Sequence, residues 1–401
     1  MQDLKGKHVV CFIALPVHAR YLLPVSESLK DRGAKVTFLT AAAEAAFELT
    51  LLEADVPYRH ALDYADQALG GSSFAGIRFK AEYDKLRNEW QRRLLADPAL
   101  RVVTTVIQDK VLRQTAETYA CYAAMMRIER PDLILALHEM NSWGKILGHL
   151  ADQHGVPYLT LQEGLYYGPL AYYRGHAEYS TCAVWGEATK EILVAAGADP
   201  AKVYVMGNVD LDVTIERCTH HQVMMDTRAQ LGVGPSQRLV LFLMSYHRHE
   251  LDAKPLQAWL KKHPDVMVVF KWHPMTTPAD VKVMAAKMGP QVKHLHMESC
   301  YPAIAASAAC VIVGNSTIGL EAIAFGRRLV EMHVDDYPHS FAKQGVALAA
   351  SNLVEAMELA LGEEEPPLVT LTSYLARQLS RTYSYPDNAV AALAAKLILR
   401  R

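Results

Sequence analysis

What this 401-residue chain lacks already narrows its function. No apolar stretch reaches the ~18 residues that a membrane-spanning helix needs. Neither sign of charge dominates: 41 basic and 43 acidic residues leave a net charge of −2, so no electrostatic case for nucleic acid binding exists. The six cysteines (Cys11, Cys121, Cys182, Cys218, Cys300, Cys310) form no CxxC pair. Cys11 and Cys310 lie in apolar runs, where cysteine packs as a small hydrophobe, and a reducing, cytosolic compartment is expected. There is no low-complexity tract and no short-period repeat. Met1 to Lys7 leads directly into a strand-length run, so no secretory leader is expected.

What is present describes an ordinary globular protein: 51% hydrophobic and 21% charged residues. The length favours two domains over one core. Strand and helix patterns alternate in two rounds. In the first, His8 to Leu15 reads as a buried strand, Tyr21 to Arg32 as a helix closed by Gly33, and Lys35 to Leu39 as the next strand, a doubly wound opening with right-handed crossovers. Residues 73–128 are helical in pattern and long for a crossover, an expected insertion that shapes an acceptor cleft. Further strands are expected at 132–137, 157–161, 182–185 and 203–206. Punctuation at Gly232, Gly234 and Pro235 marks a domain junction within 209–237. The second round places strands at 238–244, 266–271, 292–295, 310–313 and 328–332. An alanine-rich helix then runs to Leu399, with Asp387 as its expected N-cap. The expected division is 1–208, 209–368, and a helical segment 369–401 that packs back on the first domain.

The most informative stretch is Gly314-Asn315-Ser316-Thr317, followed by Ile318 to Ala322, directly after the apolar run ending at Val313. A strand that breaks at glycine and restarts as a helix with Ser-Thr in its first turn concentrates backbone N–H groups, two hydroxyls and a helix dipole on one spot, which suits a phosphate. Glu321, one turn on, is placed to reach a ribose diol. Two more loops end strands of the same domain, at the sheet edge where open α/β folds place ligands. One is Ser245-Tyr246-His247-Arg248-His249. The other is Lys271-Trp272-His273-Pro274, where proline holds His273 off helical geometry. His273 reads as a donor to a phosphate oxygen or proton donor to a leaving group, against a turn cap. Lys271 reads equally as a phosphate counter-charge or a partner of a carboxylate.

In the first domain, Gln162-Glu163-Gly164 puts a carboxylate at a strand tip, where Glu163 could take a proton from an acceptor hydroxyl or simply cap a helix. His18 follows the first strand as a rival base, an acceptor contact or a turn-stabilising group. Arg20 could hold an anionic group. Asp210-Leu211-Asp212 has the form of a metal-binding DxD but follows Gly207-Asn208 at the domain junction, Cys218-Thr219-His220-His221 offers soft ligands without a second cluster at structural-zinc spacing, and no metal or cofactor is expected. Asp335-Asp336 reads as a loop carboxylate pair. Arg87, Arg92, Arg93 and Arg101, with Trp90 among them, read as a solvated helix face, the alternative being a peripheral membrane footprint.

Taken with Pro16-Val17-His18, Leu23-Pro24-Val25, Ser28 to Gly33 and Val36 to Thr40, these features resemble a GT-B glycosyltransferase. Trp185-Gly186-Glu187 through Gly207-Asn208 is similar to the junction of bacterial surface-polysaccharide transferases and of UDP-N-acetylglucosamine 2-epimerases. Lys271 to Pro274 and Asn315-Ser316-Thr317 resemble the His-Pro and Ser/Thr motifs of bacterial sialyltransferases, Kdo transferases and glycerophosphotransferases. The resemblance implies an α/β GT-B fold, two Rossmann-like doubly wound domains facing a central cleft. It also implies a metal-independent transferase that moves a sugar from a nucleotide donor to a surface glycan or glycoprotein acceptor, at the inner face of the membrane or in the cytoplasm.

In the sialyltransferases the two motifs contact the cytidine nucleotide, so a CMP-linked nonulosonic acid is the preferred donor, with UDP-sugar and CDP-glycerol left open. Their acidic-acidic-Gly motif corresponds here to Gln162-Glu163-Gly164, with one acid in place of two. The Gly-Thr-Arg-Pro-Glu of the epimerases is replaced by Leu15-Pro16-Val17-His18, which argues against epimerisation. A sugar-nucleotide epimerase or hydrolase, or a noncatalytic nucleotide-sugar binder, are the alternatives.

Overall fold

A computed structural model of the chain describes residues 3–41, 51–52, 54–65, 80, 84–85, 87–89, 92, 105–137, 139–166, 168–245, 252–273, 276–288, 291–296, 299–314, 316–334, 340–380 and 386–400. Of the expected insertion, Thr105–Glu129 is one long helix, and most of the remainder lies outside the described residues.

The chain forms two compact units. The first comprises residues 1–163, 170–209 and 382–401; the second comprises 164–169 and 210–381. The first holds a parallel sheet of β1 (His8–Ile13), β2 (Lys35–Thr40), β3 (Tyr58–His60), β4 (Leu133–Ala136), β5 (Tyr158–Leu161), β6 (Thr181–Val184) and β7 (Val203–Val205). Their order is β3-β2-β1-β4-β5-β6-β7. Strand β1 is buried along its whole length, as a central parallel strand covered on both faces must be, and this explains the unbroken run HVVCFI. Helix Ala19–Lys30 buries Tyr21, Leu22, Val25 and Leu29 on one face, and the closing helix Pro386–Leu399 packs against it. That closing helix starts at Pro386, so Asp387 lies inside its first turn and is not the N-cap. Proline suits the first helical position, where its fixed φ is already helical and its missing N–H costs nothing.

The second unit repeats the plan with β8 (Arg238–Met244), β9 (Val266–Lys271), β10 (Val292–Leu295), β11 (Ala309–Val313), β12 (Arg328–Met332) and β13 (Leu348–Ala350), in the order β10-β9-β8-β11-β12-β13. One face of the sheet carries Val240, Phe242, Val268, Phe270, Val311 and Val330 into a core closed by helices Ala253–Lys262 and Leu353–Leu361. Phe242 and Phe270 stack at 4.7 Å between ring centres, and burial of each side chain contributes about 1.5–3 kcal/mol.

In both sheets the strand order reverses once, between β1 and β4 and between β8 and β11. Diverging crossovers open a crevice at such a reversal, outside the carboxyl ends of the strands. The loops singled out from the sequence leave their sheets at those ends.

Candidate active site

In the second unit the register fixes the level of three loops. Leu243 pairs with Lys271, and Met244 with Val313, so β8, β9 and β11 end side by side. Buried Ser245 continues this alignment by donating its N–H to the Val313 carbonyl at 3.1 Å. The Lys271 side chain is buried, and its ammonium donates to the carbonyls of Trp272 (2.8 Å) and His296. His273 follows, half-buried. Burial, and then the Lys271 charge, lower its pKa from the usual imidazole value, so it meets a ligand as a neutral hydrogen-bond donor at neutral pH. His247, Pro274 and Asn315, together with Asp335 and Asp336, lie outside the described residues.

At the end of β11, Gly314 has φ +83°, a left-handed conformation that favours glycine and turns the chain out of the strand. Ser316 and Thr317 come next, both half-buried, and helix Ile318–Ala324 begins. Gly164 and Leu165, from the short segment that belongs to this unit, sit directly on Thr317. Leu165 N–H donates to Thr317 Oγ1 at 3.0 Å, and a Cβ on Gly164 would stand 2.9 Å from the same oxygen. The hydroxyl thus accepts from the protein and keeps its O–H as a donor. Glu321 is buried, and its Oε1 accepts from the Tyr301 hydroxyl at 3.0 Å.

Underneath, Gly319 is packed so closely that a Cβ would lie 2.5 Å from Phe341 Cε2 and 3.1 Å from Ile312 Cδ1. Gly319→Ala should therefore destabilise the protein by roughly 1–3 kcal/mol, the cost of overpacking a tight core. A urea titration measures it, and an unchanged midpoint would show that Phe341 gives way freely.

In the first unit, His18 and Glu163 come together. Ala14 N–H donates to His18 Nδ1 at 3.3 Å. A nitrogen that accepts carries no proton, so a neutral ring holds its hydrogen on Nε2. That Nε2 lies 3.4 Å from Glu163 Oε1. His18 is buried, whereas the Glu163 side chain keeps 30% of its surface. The result is an imidazole and a carboxylate in close contact, with the carboxylate as the accessible member. Tyr21 adds a further restraint by donating its hydroxyl to the Glu163 carbonyl at 3.2 Å. Arg20 lies over the Tyr21 ring, 4.5 Å from its centre, and hydrogen-bonds to that hydroxyl.

Other residues near these loops serve the fold. Buried Gln162 accepts from the Trp185 N–H at 2.7 Å, so the neutral member of Gln162-Glu163-Gly164 serves the fold. Fully buried Glu139 accepts from the backbone N–H groups of Glu178 (2.9 Å) and Ser180 (2.8 Å) and from Lys145 Nζ (3.0 Å), tying the end of β4 to the approach of β6. Beside His273, Trp272 Nε1 donates to His294 Nδ1 at 3.0 Å within a stack of Phe270, Trp272 and His294. Asp210 Oδ1 accepts from the Thr214 hydroxyl at 3.3 Å. Among the described residues no three His, Cys, Asp or Glu side chains gather as a metal site, and no helix is long and apolar enough to cross a membrane.

Comparison with known proteins adds the context. Residues 180–371, just under half of the chain, match the family described as UDP-N-acetylglucosamine 2-epimerase. No curated protein sequence matches the chain. Among solved structures, the UDP-GlcNAc 2-epimerase of Neisseria meningitidis bound to UDP-GlcNAc is similar at TM-score 0.63 and 13% identity, covering 98% of this chain and 100% of that one. The UDP-GlcNAc 2-epimerase of Methanocaldococcus jannaschii gives TM-score 0.59 and 12% identity over 96% and 99% of the two chains. A glycosyltransferase of Rickettsia africae gives TM-score 0.51 and 12% identity over 98% and 93%. The two Rossmann-like domains are thus those of a GT-B fold, the architecture that epimerases and glycosyltransferases of nucleotide sugars share.

Proposed function

We propose that this chain is an enzyme acting on a UDP-sugar, with the nucleotide held by the second unit and the reacting proton handled by Glu163. The observation that carries the reading is the His18–Glu163 pair, 3.4 Å apart, with the ring held by Ala14 N–H and the Glu163 backbone carbonyl by Tyr21. A carboxylate with an aligned imidazole is the equipment of a general base. On the nucleotide side, Ser316, Thr317 and His273 donate to the diphosphate, Lys271, Ser245 and Gly314 hold those loops in place, and Glu321 faces the ribose. His247, Pro274 and Asn315 complete the same three loops in sequence.

UDP takes the place of CMP as the preferred nucleotide, because the matched family is named for a UDP-sugar and covers most of the second unit. In the reading favoured here, Glu163 removes a proton from the donor sugar itself or from water, which is epimerase or hydrolase chemistry and needs no acceptor. A second reading, transfer to a hydroxyl of a surface glycan or glycoprotein, draws on a specific feature. The first-strand loop reads Leu15-Pro16-Val17-His18, without the arginine and glutamate of the epimerase loop. Arg20 and His18 would then face the acceptor. Neither reading calls on a metal or a cofactor.

Titration calorimetry with UDP, CMP and CDP tests the nucleotide. UDP should bind at least about tenfold more tightly than CMP. Ser316→Ala and His273→Ala should each weaken UDP by about 10–150-fold, the worth of one hydrogen bond to a charged group. Tighter CMP binding, or binding indifferent to both substitutions, overturns the assignment. Conversion of UDP-N-acetylglucosamine to its epimer, or to UDP and free sugar, without any acceptor supports the first reading; UDP released only when a glycan acceptor is present supports the second.

A further inference from the structure

The buried carboxylate of Glu331 has no part in the chemistry above, yet it sits two packing contacts from the phosphate loop. Glu331 is fully buried on β12, in register with Ile312 of β11. Its neighbours Val330 and Met332 point into the core, so it projects to the opposite face, the one where Ile312 meets Gly319. Glu331 Oε2 accepts from Ala342 N–H at 2.7 Å, while Oε1, also buried, has no partner among the described residues. A half-satisfied carboxylate in a core position is costly, and an apolar residue would serve packing better.

What the carboxylate holds is specific. Residues 340–346 form a tight turn: Lys343 N–H donates to Ser340 Oγ at 3.1 Å, and Val346 N–H to the Phe341 carbonyl at 3.1 Å. Phe341 is buried beside Ala342, with its ring edge against Gly319 and Tyr374 standing edge-on to it. Gly319 N–H in turn donates to the Ser316 carbonyl at 3.1 Å. The chain of contacts therefore runs from Glu331 through Ala342 N–H and the Phe341 ring to Gly319, and from there to Ser316 and Thr317.

We propose that Glu331 is a positioning residue for nucleotide binding: by anchoring the 340–346 turn it fixes the Phe341 ring beneath Gly319 and so sets the placement of the Ser316–Thr317 hydroxyls. The proposal rests on reading that loop as the phosphate site.

Three variants and two readouts test it. Glu331→Gln keeps an acceptor for Ala342 N–H, Glu331→Leu removes it, and Phe341→Leu removes the ring. Calorimetry should show UDP affinity within about twofold of wild type for Glu331→Gln, and weakened at least about tenfold for Glu331→Leu and Phe341→Leu, an order of magnitude typical of losing one buried hydrogen bond to a charged group. Hydrogen exchange of the ligand-free protein should show the amides of Ser316–Leu320 exchanging at least about tenfold faster in both leucine variants, with strands β8 and β11 unchanged. Wild-type exchange at 316–320 in Glu331→Leu overturns the positioning role whatever the ligand. Faster exchange there, in a protein whose wild type does not bind UDP, leaves the mechanical link standing and overturns the nucleotide reading and with it the binding role.

Discussion

Glu163→Gln should lower the kcat for consumption of a UDP-sugar by about 10²–10⁴-fold while UDP affinity stays within about twofold of wild type. Glutamine matches glutamate in size and places an uncharged oxygen beside His18 Nε2, while Ala14 N–H still holds the imidazole through Nδ1. What it loses is the ability to take up a proton. The residues proposed to hold the nucleotide belong to the second unit, and the unit boundary falls at the Glu163–Gly164 peptide bond, so affinity and turnover should respond to different residues. His18→Ala should also slow turnover, because it removes the imidazole in contact with the Glu163 carboxylate. The double variant should be hardly worse than the slower single one, as expected of groups that act as a unit. The steady-state rate of UDP-sugar consumption, with the epimeric UDP-sugar and UDP separated by chromatography, measures all three. Full turnover by Glu163→Gln would move the base to His18.

The central strands were legible because each is a buried run of four to seven residues, bounded by a turn and followed by a helical pattern. The strands β3 and β13 were not. Each is a partly buried, three-residue edge strand, and unlike the equally short β7 (VYV) neither carries a β-branched residue to mark it. The phosphate-loop candidates could be read because a strand-glycine-hydroxyl-helix order is local in sequence. Pairings made by the fold were out of reach. That His18 and Glu163 meet depends on β1 and β5 both flanking β4, which is topology rather than pattern. Gln162 looked like a departure from an acidic pair. Folded, it accepts from the Trp185 N–H in full burial, where a second carboxylate would be a buried charge without a counter-charge. Glu331 read only as one residue of an apolar strand, since nothing in RLVEM says which face its carboxylate takes.

That carboxylate gives the protein an unusual dependence of stability on pH. Burial pushes the Glu331 pKa up to about 7 from the ordinary 4.5, against the opposing pull of Ala342 N–H, the Ser340 hydroxyl, Phe341 N–H and the Lys343 charge. The Tyr374 hydroxyl faces the same group, and burial together with the Glu331 charge raises its pKa, so it stays neutral throughout. Between pH 4.5 and 7 the folded chain holds a proton on Glu331 that the unfolded chain has released. By linkage, the contribution of this group to stability is complete below the unfolded value and is lost as pH rises to the folded one, up to about 3 kcal/mol in all. Glu331→Gln does not titrate. At pH 5 the wild-type carboxylic acid and the amide present the same acceptor and a donor of similar shape, so the two proteins should be equally stable. At pH 8 the variant should be more stable by up to about 3 kcal/mol, because it carries no buried charge. Urea titrations of both proteins at the two pH values measure the difference. A gap that is the same at pH 5 and pH 8 would mean that Glu331 is ionised throughout, with its second oxygen paired after all.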